Sequence, residues 1–226
     1  MAQLPLDLGF RPALGLDDFL VAPSNVAAVA WLDRWPDWPA PALVLHGDAG
    51  SGKTHLAHVW QGKAQAIFID PAELTVARVP ALLGAARTAI VDGADRANAE
   101  ALLHLYNLVA ERGGHLLVVT REPPQRWRIA LADLRSRLLA APAASLAAPD
   151  DALLASVLLK QFADRQLAVG EDVITYLLAH MERSFAAAGT TVAALDRAAL
   201  AAQRRVSLKL AREVMQGPER DLLTPK

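Results

Sequence analysis

Apolar residues fall along this chain in two rhythms. Up to about residue 148, short apolar runs recur: Ala42-Leu43-Val44-Leu45-His46, Ala66-Ile67-Phe68-Ile69-Asp70, Thr88-Ala89-Ile90-Val91-Asp92 and His115-Leu116-Leu117-Val118-Val119-Thr120. Runs this short and this rich in branched side chains predict strands buried on both faces. A fifth strand is expected near 143–146. The intervening segments carry helical spacing, clearest in 97–112, where Leu102, Leu105 and Leu108/Val109 share a face before Gly113-Gly114 ends the helix. Further helices are expected at 26–35, capped by Ser24 or Asn25, after residue 54, and at 129–139, with short helical pieces in 72–86 broken at Pro80. Strands alternating with helices imply a parallel sheet covered on both faces.

From Pro149 the rhythm changes. Helices are expected at 150–168, 171–182, 190–206 and 208–216, punctuated by Gly170, Gly189 and Gly217, with no strand candidate among them. The expected domains are an extended lead over 1–18, an α/β domain over 19–148 and an all-helical domain over 149–226.

Composition narrows the class. Of 226 residues 53% are apolar, enough for a sizeable core. The formal net charge of −1 gives no bulk attraction to nucleic acid. There is no cysteine, which removes disulfides, thiolate metal sites and cysteine nucleophiles and fits a reducing cytoplasm. Neither a signal peptide nor a membrane span is read, so a cytoplasmic location is expected.

The strongest chemical signal is Gly47-Asp48-Ala49-Gly50-Ser51-Gly52-Lys53-Thr54, which fits G-x-x-x-x-G-K-T and lies between a predicted strand and a predicted helix. Its glycines let successive N–H groups turn toward a phosphate, and the helix start adds its positive dipole end. Lys53 supplies charge to the outer phosphates, and Thr54 can take one position on magnesium. Asp92, ending the third strand, fits the acid that holds magnesium through its water shell. The next residue is Gly93, where many P-loop ATPases carry a water-orienting acid. Asp95 could substitute only if the backbone bends back, so slow intrinsic hydrolysis or none is expected. Thr120 reads equally as a sensor of the γ-phosphate region or as a cap on the following turn.

Residues 121–137 hold Arg121, Arg126, Arg128, Arg135 and Arg137 against Glu122 and Asp133. This is either a solvated helix face or a source of an arginine offered to a neighbour's phosphate. Arg183 taken alone reads as a surface arginine. His55 and His58 show no zinc-ligand spacing and read as structural. In the lead, Gln3-Leu4-Pro5-Leu6-Asp7-Leu8 alternates leucines along an extended segment, suited to docking either on its own domain or on a partner.

Together these motifs resemble the DnaA-related AAA+ family, and within it the Hda type of regulator, over nearly the whole chain. The resemblance implies an AAA+ P-loop domain with a parallel five-stranded sheet, followed by a small all-helical lid. Phe19-Leu20-Val21-Ala22-Pro23-Ser24-Asn25 is similar to the N-terminal box lining the adenine pocket, which implies nucleotide contacts from Phe19 and Asn25. Gly47 to His55 resemble the Walker A segment and Ile90-Val91-Asp92 the Walker B. Thr120-Arg121-Glu122-Pro123-Pro124 is similar to sensor 1, although the family usually has an Asp near Glu122. Asp133-Leu134-Arg135-Ser136-Arg137-Leu138 resembles the box that carries the arginine finger, with Arg137 at the finger position. Arg183 matches the sensor 2 arginine.

The family further implies bound ADP or ATP with Mg2+, and a lead in which Gln3, Leu4, Leu6 and Leu8 bind the DNA polymerase III beta sliding clamp. Its implied partners are DnaA itself and DNA reached through the clamp, with no membrane and room for a homodimer. No helix-turn-helix follows the lid, as expected of the regulator rather than the initiator. Two rival readings stand beside it. One is a self-contained ATPase of helicase-loader type, with Asp95 or Glu122 positioning water. The other is an initiator fragment that binds DNA through 121–137. Against the latter, 149–226 carries ten acidic and ten basic side chains, and 1–148 fourteen and thirteen, so neither part is basic.

Overall fold

The computed structural model describes residues 20–216. Within that span the chain forms two compact units. One comprises residues 20–48 and 52–147; the other comprises 148–216 together with 49–51 of the glycine-rich loop.

The first unit holds the sheet. Its strands are β1 (Ala42–His46), β2 (Ile67–Ile69), β3 (Ala89–Asp92), β4 (Leu116–Thr120) and β5 (Ala143–Ser145). All pairings are parallel and the order is β2-β3-β4-β1-β5. Its helices are α1 (Val26–Asp33), α2 (Lys53–Ala64), α3 (Val79–Leu83), α4 (Ala99–Glu111) and α5 (Ala132–Ala140). Because side chains alternate along a strand, each apolar run feeds two cores. Ala42 and Val44 of β1 join Val91 and Val118 in a core with α4 and α5, while Leu43 and Leu45 join Ile90, Leu117 and Val119 in a core with α1 and α2.

The register determines what the sheet presents. His46 lies opposite Thr120, and Asp92 opposite Val119. The loops after β1, β3 and β4 therefore leave one edge of the sheet, the carboxyl end, where parallel α/β sheets place their ligands.

The second unit packs α6 (Asp151–Asp164), α7 (Glu171–His180), α8 (Phe185–Ala202) and α9 (Leu208–Gln216) around Leu158, Phe162, Leu177, Val192 and Leu195. No helix among the described residues is long and apolar enough to cross a membrane.

Several element boundaries differ from expectation. Helix α8 begins at Phe185, not 190, and Gly189 lies inside it. Ser184 is the physical start, its hydroxyl accepting the Ala187 N–H at 3.0 Å. Pro80 does not break a helix; it occupies the first turn of α3, where its missing N–H has no intrahelical partner to lose. Residues 129–131 stay outside α5, and α4 starts at Ala99 behind the Asn98 cap. Asn25 precedes α1 but makes no side-chain cap. Its amide instead accepts the Ala22 N–H and donates to the Leu20 carbonyl, both at 2.9 Å, stapling the segment that enters the helix.

Beside the sheet lies an aromatic box. Trp38 stacks on the buried Trp60, Trp35 meets Trp60 edge-on, and His115 sits edge-on to both Trp35 and Trp38. The Trp35 indole donates to His115 Nδ1 at 3.2 Å, which requires that nitrogen to be unprotonated. Burial lowers the His115 pKa, opposed by a hydrogen bond to the Pro36 carbonyl. Burial, and then the Lys53 charge, lower that of His46. Both folded-state values lie below the ordinary histidine value, so the unfolded chain takes up protons first. The neutral rings thus contribute stability that is fully present above about pH 6.5 and is lost as pH falls below it. The unfolding midpoint should drop between pH 7.5 and pH 5.5. His115→Gln should be less stable at pH 7.5 by about 1 kcal/mol and show a shallower acid slope, the remainder coming from His46. An unchanged slope in that variant would remove His115 from the account.

Candidate functional site

The glycine-rich loop leaves β1 at Gly47 and enters α2 at Lys53. Gly52 caps α2 at φ 94° and Gly50 stands at φ 76°, both in the region that favours glycine. The loop can therefore turn its amides inward before the helix begins. Lys53 is buried, and its ammonium donates to the carbonyls of Gly47 at 2.7 Å and Asp48 at 2.6 Å. Burial lowers its pKa first. The charges of Asp92, Asp48 and Asp95 pull it upward, and that of Arg121 pushes it down. Arg121, counted above only in the basic stretch and the sensor 1 segment, is thus a neighbour of Lys53; its backbone carbonyl also accepts the Gly47 N–H at 3.1 Å.

Asp92 ends β3, and its Oδ2 accepts the Thr54 hydroxyl at 2.5 Å. The two oxygen donors expected at magnesium, 38 residues apart in sequence, thus face one another. A hydroxyl beside a carboxylate at the foot of a phosphate loop is a donor set suited to a hard divalent cation. Among the described residues there is no cluster of three or more histidines or acids that would suit another metal. His55 is an exposed residue of the first turn of α2, and His58 packs against Phe68 with ring centroids 4.3 Å apart.

Gly93 follows with φ 77°, and a Cβ built there would meet the Arg96 guanidinium. The place of a water-orienting acid is thus covered by a cation, and Asp95 stays exposed on the 3-10 turn Ala94–Arg96. Thr120 is buried. Its hydroxyl donates to the Glu122 carbonyl at 2.5 Å and accepts the Trp127 indole N–H at 3.3 Å, so this side chain fastens the turn after β4.

Of the basic stretch, Arg121, Arg126, Arg128 and Arg135 are exposed, whereas Arg137 is half-buried. The Arg137 guanidinium carbon lies 5.3 Å from the centre of the Tyr106 ring on α4. In the helical unit, Arg183 pairs with Asp151 at 3.0 Å, both side chains more than half exposed. Screened pairs of this kind add little to stability. Gln3, Leu4, Leu6, Leu8 and Phe19 lie outside the described residues. Asp151 was not foreseen, because nothing in local pattern links it to a residue 32 positions away.

A phosphate loop after the first strand, its acid at the end of the third, and an arginine-bearing helix leading to a separate helical unit define a P-loop protein of AAA+ architecture. Residues 151–215 match the family model described as Hda, lid domain. The chain is 29% identical over 210 residues to the chromosomal replication initiator protein DnaA of Sphingopyxis alaskensis, covering 81% of this chain and 46% of that protein. It therefore spans about half the length of this relative. Among solved structures, domain III of DnaA from Thermotoga maritima matches with a TM-score of 0.75 at 17% identity, covering 91% of this chain and 97% of that one. AMPPCP-bound DnaA from Aquifex aeolicus matches with a TM-score of 0.67 at 16% identity, covering 81% and 65%. Residues 151–215 are thus similar to the Hda lid, and most of the chain is similar to part of DnaA.

Proposed function

We propose that the protein regulates chromosomal replication initiation. In this reading it binds an adenine nucleotide, docks on the DNA-loaded sliding clamp through its N-terminal lead, and stimulates hydrolysis of ATP held by DnaA. The single observation that carries it is the Hda-type lid at 151–215 on a DnaA-like AAA+ chain. The nucleotide proposal rests on the loop geometry around Lys53 and is supported by the AMPPCP-bound relative. ADP or ATP would bind with its phosphates over the loop. Gly47, Asp48, Ala49, Gly50, Ser51, Gly52 and His55 shape that cradle, with Lys53 on the outer phosphates. Thr54 and Asp92 would hold Mg2+, whose contribution is charge neutralisation on the phosphates. Asn25 and Phe19 are assigned to the adenine side and Arg183 to the phosphates from the lid. Arg137 is assigned to the partner's nucleotide, where its fixed charge would stabilise the transferring phosphoryl group.

Gly93 fits this division of labour. A chain that acts on another protein's ATP needs its own nucleotide for structure and needs no water-orienting acid. The test is hydrolysis of ATP preloaded on DnaA, with clamp on DNA, with and without this protein. Clamp-dependent acceleration is expected. No acceleration by folded, nucleotide-bound protein would overturn the reading, and steady ATP turnover by the protein alone would favour a self-contained ATPase.

The clamp arm has its own test. Gln3→Ala combined with Leu6→Ala should weaken clamp binding by at least tenfold without shifting the unfolding midpoint, because short motifs concentrate their affinity in a few anchors. Unchanged clamp affinity, measured by surface plasmon resonance, would return the lead to a structural role.

A further inference from the structure

We propose that Tyr106 is the positioning residue for Arg137. This inference rests on the reading of Arg137 as the group that enters a partner's nucleotide site. An arginine that acts in trans must be aimed before the partner arrives, since a flexible guanidinium loses much of its rate advantage to disorder. On α5, Arg135 and Arg137 stand about 200° apart around the helix axis, at 100° per residue. Arg135 is exposed, whereas Arg137 turns onto α4, its guanidinium over the Tyr106 ring.

Two observations make this more than casual packing. The Arg137 Nε is buried and has no hydrogen-bond partner, so neither an ion pair nor a hydrogen bond at that nitrogen holds the group. Tyr106 itself is only 5% exposed and packs with Leu102, Leu105 and Leu138, which makes its ring a fixed platform. The face of an aromatic ring attracts a guanidinium without consuming its N–H groups. The arginine is therefore held by its stem, by the ring face and by a side-chain hydrogen bond to Tyr106, which fixes the direction in which its remaining donors point. Burial raises the Tyr106 pKa, and the Arg137 charge and its hydrogen bond to Tyr106 pull it back, as expected of a cation held against the phenol.

The experiment compares Tyr106→Leu, Tyr106→Phe and Arg137→Ala in the full chain, with ATP-loaded DnaA as substrate and clamp on DNA. Tyr106→Leu should lower the maximal stimulated rate on the order of ten- to a hundredfold, the loss that follows an ångström-scale misplacement of a catalytic group. The concentration giving half-maximal stimulation and the protein's own nucleotide affinity should stay unchanged. Tyr106→Phe keeps the ring but loses the hydrogen bond to Arg137, and its rate should fall between those of the parent and the Leu variant. A merely structural tyrosine would instead lower nucleotide affinity and rate together. If the Leu variant does not fold, Tyr106→Met gives the same test with a side chain that fills the gap more closely. Full rate in the Leu or Met variant, with Arg137→Ala inactive, would overturn the proposal. Full rate in Arg137→Ala would overturn the reading beneath it.

Discussion

Lys53→Ala should weaken adenine-nucleotide binding on the order of a hundredfold or more. A charge-assisted hydrogen bond contributes about 1.5–3 kcal/mol, and every 1.4 kcal/mol is tenfold in affinity. Lys53 already donates to two loop carbonyls, at Gly47 and Asp48. Removing it would therefore delete the proposed phosphate ligand and also free two oxygens that would face the incoming phosphates. Burial that lowers the lysine pKa means that the fold holds this ammonium at a cost, which a bound phosphate would offset. Isothermal titration with ADP and with ATP, with and without magnesium, measures the effect. A dissociation constant within threefold of the parent would sink the nucleotide assignment. Stability without nucleotide should change little, because the core under β1 is built from Leu43, Leu45, Leu56 and Trp60, not from Lys53.

The contrast between Lys53 and Arg137 shows which parts of the site were legible in the sequence. The phosphate loop could be read because its chemistry is local: eight consecutive residues set the glycines, the lysine and the threonine. Strands β1, β3 and β4 were legible for a related reason, since both faces of each are buried and the whole run becomes apolar. Asp92 was legible only as the end of such a run. Its approach to Thr54 follows from strand order, with β4 inserted between β1 and β3, which no local pattern states. The start of α8 was missed because glycine was weighted as a terminator. Ser184, a better helix-start signal, sat five residues upstream, and a single interior glycine costs a helix only about 1 kcal/mol. Tyr106 and Asp151 were missed altogether: Tyr106 meets its arginine through packing of α4 on α5, and Asp151 pairs with an arginine in the link before α8, 32 positions away. Thr120 could not be decided from sequence. Its hydroxyl bonds to Glu122 and Trp127 give the turn-fastening half of that choice a concrete geometry.

Gly93 and Arg96 extend the argument from binding to turnover. Hydrolysis in cis needs a group that orients water beside the γ-phosphate. Here the position after Asp92 has a positive φ and an arginine lying across it. A carboxylate placed at 93 would have to displace Arg96 and accept a strained backbone. In the proposed reading the chain holds a nucleotide without consuming it, and its catalytic contribution comes from a group elsewhere on its surface.

That group is expected to be Arg137, and Arg137→Ala should abolish stimulation of DnaA-bound ATP hydrolysis, a loss on the order of a thousandfold or more where an arginine finger is removed. The two arginines differ in their surroundings, and the proposed reading takes Arg137. Arg135 is exposed and unconstrained, while Arg137 is half-buried and anchored on the Tyr106 face. Truncation removes the ring contact and the hydrogen bond to Tyr106 and should cost about 1–2 kcal/mol of stability, which leaves the chain folded. Its contact is with α4 and not with the phosphate loop, so ADP affinity should be unchanged. Arg137→Lys should be nearly as inactive as the alanine variant, because an ammonium is a point charge without the planar fork that spans two phosphate oxygens. Arg135→Ala should retain most of the stimulation. Single-turnover hydrolysis on preloaded DnaA distinguishes these outcomes. If Arg135→Ala is the inactive variant and Arg137→Ala the active one, the buried arginine is a structural cation and the exposed one acts on the partner.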